Sequence, residues 1–359
     1  MDIRLVGING NTDMNKDRLL DLFSKINKED KQENLHKHSR VLLVDGMNTF
    51  IRSFAKVSRV NMAGHEIGGI IGFLKSLGHA IKTLKPTKVV VVFDGEAGAN
   101  NRKYLYPEYK AKRDSGRIMN YKSFQNKDEE DDSKYDQIVR LVDYLSYLPI
   151  ICISVDKLEA DDVISCIAKI TYDDYDDSEV FIMSSDNDFL QLINPRIKVY
   201  SPIKKKIYES QDVLEEYGVH PSNFLLYKTL VGDDSDNIPG VNGFGDKNTP
   251  KLFEFLKEDS RKQLTDIYEY CKNPGKKSTL YQKVLNISKT VEVYYKVMNL
   301  MEPNISEDLA QQIKEQYYSK PQVLRKYEFI RLYNHDLMGD SISNLEIWLN
   351  LFSVLNSYN

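Results

Sequence analysis

At 359 residues, with 41% hydrophobic and 28% charged side chains, the chain is too long for one small core and has the balance of a soluble globular protein. No apolar run approaches the ~20 residues of a membrane helix, and the N-terminus lacks the basic-then-apolar pattern of a secretory signal. Three cysteines (Cys152, Cys166, Cys271) and six scattered histidines argue against a disulfide scaffold and against zinc chemistry, and suit a reducing compartment. The net charge of −4 hides an uneven distribution: Arg102 to Lys122 carries seven basic and two acidic residues, while Lys127 to Asp136 is strongly acidic.

Residues 1–39 are polar and without a clear period, and are expected to be a poorly ordered extension. Val41–Val44 reads as a strand ending in Asp45-Gly46, followed by a mixed segment with Phe50, Ile51 and Phe54 on one helical face. Gly69 to Leu84 reads as a helix, and Val89–Phe93 as a second buried strand ending in Asp94-Gly95. A third strand near Ile150–Val155 leads into Glu159, Asp161 and Asp162, which the spacing of Ala160, Val163, Ile164 and Ile167 places in the first turn of a helix. A fourth strand, Val180–Met183, runs directly into Asp186 and Asp188. Apolar strands alternating with helical segments predict a parallel α/β sheet. Ligands of such sheets bind outside the carboxyl ends of the strands, so the four acidic groups are expected to converge there. One acid after a strand is usually a turn residue; four after four make a site. Carboxylates held together stay ionised only when a cation compensates them.

The basic, tyrosine-rich stretch from Asn101 to Arg117 is longer than a routine connection and suits phosphate contact with base stacking. After Tyr200, S-P-I-K-K-K-I-Y reads as a basic hairpin, and Pro221–Leu230 as a helix. The glycine-rich loop Gly232–Lys247 follows, with Asp233 and Asp236 at its start, and its glycines allow backbone N–H groups close to a phosphate. From Lys251 onward the chain reads as helical, and the apolar tail around Trp348 reads as docked core in preference to a partner-binding helix, which its pattern also allows.

Asp45-Gly46, V-V-F-D-G at 91–95, Y-K-x-x-R at 109–113, E-A-D-D at 159–162, S-D-x-D-x-x-Q-L at 185–192 and G-D-x-S-D-N-I-P-G-V at 232–241 occur in this order. Together they resemble the 5′ nuclease superfamily of flap endonucleases and 5′–3′ exonucleases. The approach L-P-I-I-C-I-S-V-D-K-L-E-A-D-D and the S-P-I-K-K-K piece are similar to its phage ribonuclease H branch. The resemblance covers about residues 40–258. It implies a mostly parallel sheet flanked by helices in an α/β nuclease core at 40–205. It further implies a helical arch at about 96–136, a helix–three-turn–helix at 206–258 and a helical region at 259–359.

The activity implied is metal-dependent hydrolysis of phosphodiesters near 5′ ends, on DNA or RNA–DNA duplex with a 5′ flap or end, in primer removal, replication and repair. By the same resemblance Asp45, Asp94, Glu159 and Asp161 hold a first Mg²⁺, which Mn²⁺ can replace. Asp186 lies between the sites, Asp188, Asp233 and Asp236 hold a second ion, and Asp162 contributes directly or through water. Helical spacing alone instead pairs Glu159 with Asp162. Lys110 and Arg113 match the family residues that reach the scissile phosphate and Tyr109 the aromatic near the terminal base, while Arg102 and Lys103 are expected to steer the nucleic-acid backbone. Gly240, Gly243, Gly245 and Lys247 match the positions that grip duplex by its backbone, often with K⁺. Asn248 and Pro250 depart from the pattern there.

A monomer working in the cytoplasm (of the host, if viral) is expected, with no membrane contact. A single-strand-binding protein or sliding clamp is the candidate protein partner. A catalytically inactive DNA-binding paralogue and an unrelated Mg²⁺ phosphatase are the competing readings. The first should lack a carboxylate of the set, and the second gives the glycine loop no role.

Overall fold

The apolar runs close into strands, and the order of those strands decides where the acids go. The computed structural model describes residues 38–113, 116–273 and 278–358. The extension expected before the first strand therefore falls outside the described residues up to 37. Its last two members do not: His38 and Ser39 are buried, with the His38 ring stacked on Tyr175 at 4.2 Å and bonded to the Tyr317 hydroxyl at 3.0 Å. The ordered body thus starts before residue 40, because these side chains have aromatic partners brought from far along the chain.

Strands β1 (Arg40–Asp45), β2 (Lys88–Asp94), β3 (Ile151–Val155), β4 (Glu179–Met183), β5 (Ile197–Ser201) and β6 (Lys206–Tyr208) form one sheet in the order β3-β2-β1-β4-β5-β6. All neighbours are parallel except β5 and β6, the basic hairpin read from the sequence. Helices α1 (Gly46–Lys56) and α2 (Gly68–Leu84) connect β1 to β2, α3 (Asn100–Leu105) and α4 (Lys127–Leu145) connect β2 to β3, and α5 (Ala160–Asp174) connects β3 to β4. The chain steps from β1 outward to β3, then returns past β1 to β4. A crevice for ligands opens where the winding reverses, so the β1–β4 boundary is the expected place.

Each central strand is buried on both faces, which explains why its sequence is a continuous apolar run. Val41, Leu43, Val90, Val92 and Ile182 face α5, while Leu42, Val44, Val89, Val91 and Met183 face α1, α2 and α4. The acidic run Lys127–Asp136 forms the first half of α4, whose Leu141, Tyr144 and Leu145 join the second core. Within residues 96–136 helix otherwise occurs only at Asn100–Leu105 among the described residues.

Helix α6 (Ser210–Tyr217) and a short 3₁₀ turn at Pro221–Asn223 precede α7 (Phe224–Val231); the four-residue α8 (Thr249–Leu252) follows the glycine loop, with Pro250 in its first turn. Helices α9 (Leu264–Lys272), α10 (Thr279–Asn286), α11 (Ser288–Met298), α12 (Glu307–Tyr318), α13 (Lys326–His335) and α14 (Leu345–Ser353) complete the chain. They do not form a separate layer. Ile313 and Tyr317 of α12 enter the α5-side core, and Phe329, Trp348 and Phe352 enter the other, as the docked-core reading of the tail anticipated. Among the described residues no helix is long and apolar enough to cross a membrane.

Candidate metal and nucleic-acid site

Asp45 ends β1 and also caps α1: its Oδ1 accepts the Asn48 N–H at 3.0 Å. Its Oδ2 accepts the Ser184 hydroxyl at 3.0 Å, and the same hydroxyl accepts the Asp186 N–H at 3.1 Å. Ser184 therefore ties the acids of β1 and β4 together across the point where the winding reverses. Asp94, at the end of β2, accepts the Ala160 N–H at 2.8 Å, which fixes the start of α5 and leaves Glu159, Asp161 and Asp162 at one helix N-terminus.

Glu159 and Asp162 share one arginine, as their helical spacing suggests. Arg102 bonds Glu159 through Nη1 and Asp162 through Nη2 (2.7 Å), and its Nε donates to the Val297 carbonyl at 2.9 Å. Asp161 instead lies with Asp45 and Asp186. Burial and then the charges of those two acids push its carboxyl well above the usual range, despite Arg102 and Lys110. Burial, aided by Asp186 and Asp94, pushes Asp45 up to about 7. Burial and then Asp186 bring Asp188 to about 6, against the pull of Lys228. Burial likewise raises Asp162, and raises Asp236 against Lys110 and Arg113. Burial would raise Glu159 too, but Arg102, Lys110 and the Tyr109 hydroxyl outweigh it and hold it low.

The second group of acids stands on the glycine loop. Asp233 and Ile238 exchange backbone hydrogen bonds of 2.7 and 2.8 Å, closing a narrow turn. Gly240, at φ +64°, is required where this turn folds back: a Cβ there would lie 2.4 Å from the Val231 carbonyl oxygen. Asp233 accepts the Ser235 N–H and hydroxyl, both at 2.7 Å. Lys228, on α7, spans the two groups, pairing with Asp188 at 3.0 Å and with Asp233. Burial disfavours that ammonium, but Asp188 and Asp233 more than compensate and keep it charged. Burial works against Asp233 in turn, and Lys228 holds it low.

The basic segment docks directly on this loop. The Lys110 N–H donates to the Asp236 carbonyl at 3.0 Å, Tyr106 donates to the Asn237 carbonyl at 3.1 Å, and Asn237 donates back to the Glu108 carbonyl at 2.8 Å. Arg113 pairs with Asp236 at 2.8 Å, and the Lys110 ammonium pairs with Glu159. These contacts between distant chain segments bring Lys110 and Arg113 against Glu159 and Asp236. Two expectations need correction. Tyr109 is only 2% exposed and donates its hydroxyl to Glu159 at 3.0 Å, within a small apolar cluster with Leu225, Ile238, Tyr294 and Val297; it is not open to stack on a base. Arg102 is buried and paired with acids rather than steering a DNA backbone, while Lys103 is exposed.

Seven of the nine acids singled out in the sequence are joined by contacts through Ser184, Arg102, Lys110, Arg113 and Lys228 or their neighbouring backbone, while Asp94 bonds the Ala160 N–H and Asp161 lies beside Asp45 and Asp186. Among the described residues no three of them stand at metal-ligand spacing, and Arg102, Lys110 and Lys228 pair with Glu159, Asp162, Asp188 and Asp233. Lys228 escaped the sequence reading, since a lone lysine in F-L-L-Y-K-T-L-V looks like a solvated helix position; its only signal is standing five residues before Asp233. Gln191 also escaped notice as a fastener: its amide donates to the Asp188 and Met298 carbonyls at 2.9 and 3.0 Å, and its oxygen accepts the Leu300 N–H at 2.9 Å.

Gly240, Gly243, Gly245 and Lys247 lie on the loop beyond Asp236, with Lys247 exposed and without an ion pair among the described residues. Asn248 fastens that loop, donating to the Gly243 carbonyl and accepting the Gly245 N–H at 2.6 Å.

The family model described as 5′-3′ exonuclease, N-terminal resolvase-like domain, matches residues 40–218. The 5′-3′ exonuclease of Bacillus subtilis is 31% identical over 224 residues, covering 60% of this chain and 70% of that protein. The chain belongs to the 5′–3′ exonuclease family. It spans about a quarter of the length of the first curated relatives it matches: the thermostable DNA polymerase I of Thermus filiformis is 35% identical over 213 residues, 59% of this chain and 23% of the polymerase. Two solved structures share the fold of this 5′–3′ exonuclease family member. The bacteriophage T5 5′-exonuclease with bound zinc superposes with a TM-score of 0.62 at 20% identity, over 77% of this chain and 98% of that one. The T5 flap endonuclease in a complex with DNA and metal ions superposes at 0.59 and 19%, over 82% and 99%.

Proposed function

We propose that this chain is a two-metal 5′ nuclease that hydrolyses phosphodiesters near the 5′ ends of DNA or RNA–DNA duplexes, including 5′ flaps, during primer removal and repair. The observation that supports this reading is a chain of contacts joining acids from the carboxyl ends of β1 and β4 (Asp45, Asp186), the start of α5 (Glu159, Asp162) and the glycine loop (Asp233, Asp236). The chemistry of the donor set suits divalent ions. All the donors are oxygens, the choice of Mg²⁺ or Mn²⁺, and burial together with neighbouring carboxylates raises Asp45, Asp161 and Asp188, a repulsion that a divalent ion would relieve. Family membership, and the metal ions in the T5 structures, support the same reading.

Asp45, Asp94, Glu159 and Asp161 would hold one ion and Asp188, Asp233 and Asp236 the other, with Asp186 between and Asp162 beside the first. Two such ions supply an activated water and stabilisation of the leaving oxygen in an in-line displacement. Lys110 and Arg113, released from Glu159 and Asp236 as metal takes over their role, would turn their charge to the scissile phosphate. Tyr109 would orient Glu159 through its hydroxyl. Lys103, Lys247 and the glycine loop would hold the duplex by its backbone, which reads structure and not sequence.

Digestion of 5′-labelled flap, nicked and RNA–DNA substrates tests this. Products released from the 5′ end in Mg²⁺, and none with chelator or in Asp186→Asn, are expected. Asp186→Asn should still bind the substrate. Duplex binding without cleavage in any divalent ion would favour the inactive paralogue instead.

A further inference from the structure

The resemblance implies K⁺ in the loop that grips the duplex, and the groups present there do not fit it. A K⁺ site made of backbone needs several carbonyl oxygens that converge to replace the ion's water, and every hydrogen bond or cation already on such an oxygen competes with the ion for its lone pairs. Here the Val241 carbonyl accepts the Phe244 N–H at 2.9 Å, and the Gly245 carbonyl accepts both the Thr249 N–H at 3.0 Å and its hydroxyl at 2.9 Å. The Gly243 carbonyl accepts from the Asn248 amide. The next oxygen, the Asn242 carbonyl, already faces a cation: the Lys283 ammonium lies at 3.2 Å from it and at 3.4 Å from Asn242 Oδ1.

Lys283 arrives on α10, which packs hard against the loop. Gly243 has φ +97°, and a Cβ there would stand 2.6 Å from Leu280 Cδ2 and 3.5 Å from the Lys283 nitrogen. Lys283 makes no ion pair among the described residues, so no acid there neutralises its charge. A lysine is a compact point charge with three donors, suited to a carbonyl oxygen.

We propose that Lys283 is the resident cation of this loop: its ammonium clamps Asn242 and stands in for a bound K⁺, so that duplex binding needs no particular monovalent ion. Lys283 is thereby a positioning residue for the loop that carries Lys247. The proposal rests on the reading of the loop as a duplex grip.

The test is duplex affinity by fluorescence anisotropy, with Ca²⁺ replacing Mg²⁺, in KCl, NaCl and tetramethylammonium chloride at equal ionic strength. Wild-type affinity should agree within about twofold across the salts. Lys283→Met should bind about 3- to 10-fold more weakly in all three, and Lys283→Arg should recover most of the loss. Crystals soaked in Tl⁺ should show no anomalous peak against the carbonyls of residues 241–245. Wild-type binding several-fold tighter in KCl, a thallium peak on those carbonyls, or full affinity in Lys283→Met would each overturn the proposal while leaving the nuclease reading intact. A wild-type protein that binds no duplex in any salt would overturn both.

Discussion

Lys110 shows how a single side chain is placed by distant parts of the sequence. Its N–H is held by the Asp236 carbonyl, its φ is +57°, and its ammonium meets Glu159. A non-glycine residue in that conformation persists only where its surroundings hold it there. The left-handed turn aims the ammonium into the acids, so Lys110→Ala should lower the single-turnover cleavage rate by about 10²-fold with little change in substrate affinity; a loss confined to affinity would place Lys110 outside the chemistry. Protonation gives a second expectation. Asp45 at about 7 and Asp188 at about 6 lie above the ordinary carboxylate value, so their ionised forms are disfavoured in the fold. The metal-free protein should therefore lose stability as pH rises from about 4 through about 7, and level off above. Divalent ions need the deprotonated acids, so the rise in melting temperature on adding Mg²⁺ should grow over the same window. An Mg²⁺ effect independent of pH would contradict this assignment of the two shifts.

At the scale of elements, the strands and their terminal acids were legible because each buried strand is an unbroken apolar run with an abrupt polar end. V-V-V-V-F-D-G leaves little else for residues 89–95 to be. What sequence hides is the partner of a charge. Arg102 reads as one more basic residue in a basic stretch, and only the fold sets it between Glu159, Asp162 and the Val297 carbonyl. Glu130 reads as part of an acidic run, yet it is fully buried and accepts the Met119 and Asn120 N–H groups at 2.8 and 2.7 Å. It pins the chain that returns from the basic segment to the start of α4, while Asn120 donates to the Phe54 carbonyl at 2.9 Å. On the glycine loop, exposed Lys247 is free to meet a phosphate. Lys247→Ala should weaken duplex binding and reduce its log–log salt dependence by about one ion. An unchanged slope would remove this loop from the DNA contact.

The whole molecule explains why these pieces meet. The strand order β3-β2-β1-β4-β5-β6 brings Asp45 and Asp186 to adjacent strands, although 141 positions separate them in the sequence, and Ser184 fastens the pair. The fold class and the edge on which the acids gather followed from alternating strands and helices. The neutralisation of the site by Arg102, Lys110 and Lys228 did not, because those contacts depend on how α3, the turn at 106–113 and α7 dock on the sheet. Anomalous diffraction from crystals grown with saturating Mn²⁺ locates the ions directly. Two manganese peaks are predicted, one contacted by Asp45, Asp94, Glu159 or Asp161 and one by Asp188, Asp233 or Asp236, with Lys110 and Lys228 displaced from their carboxylates. Crystals in which Lys110 and Lys228 keep those carboxylates and no manganese appears among the acids would contradict the two-metal site.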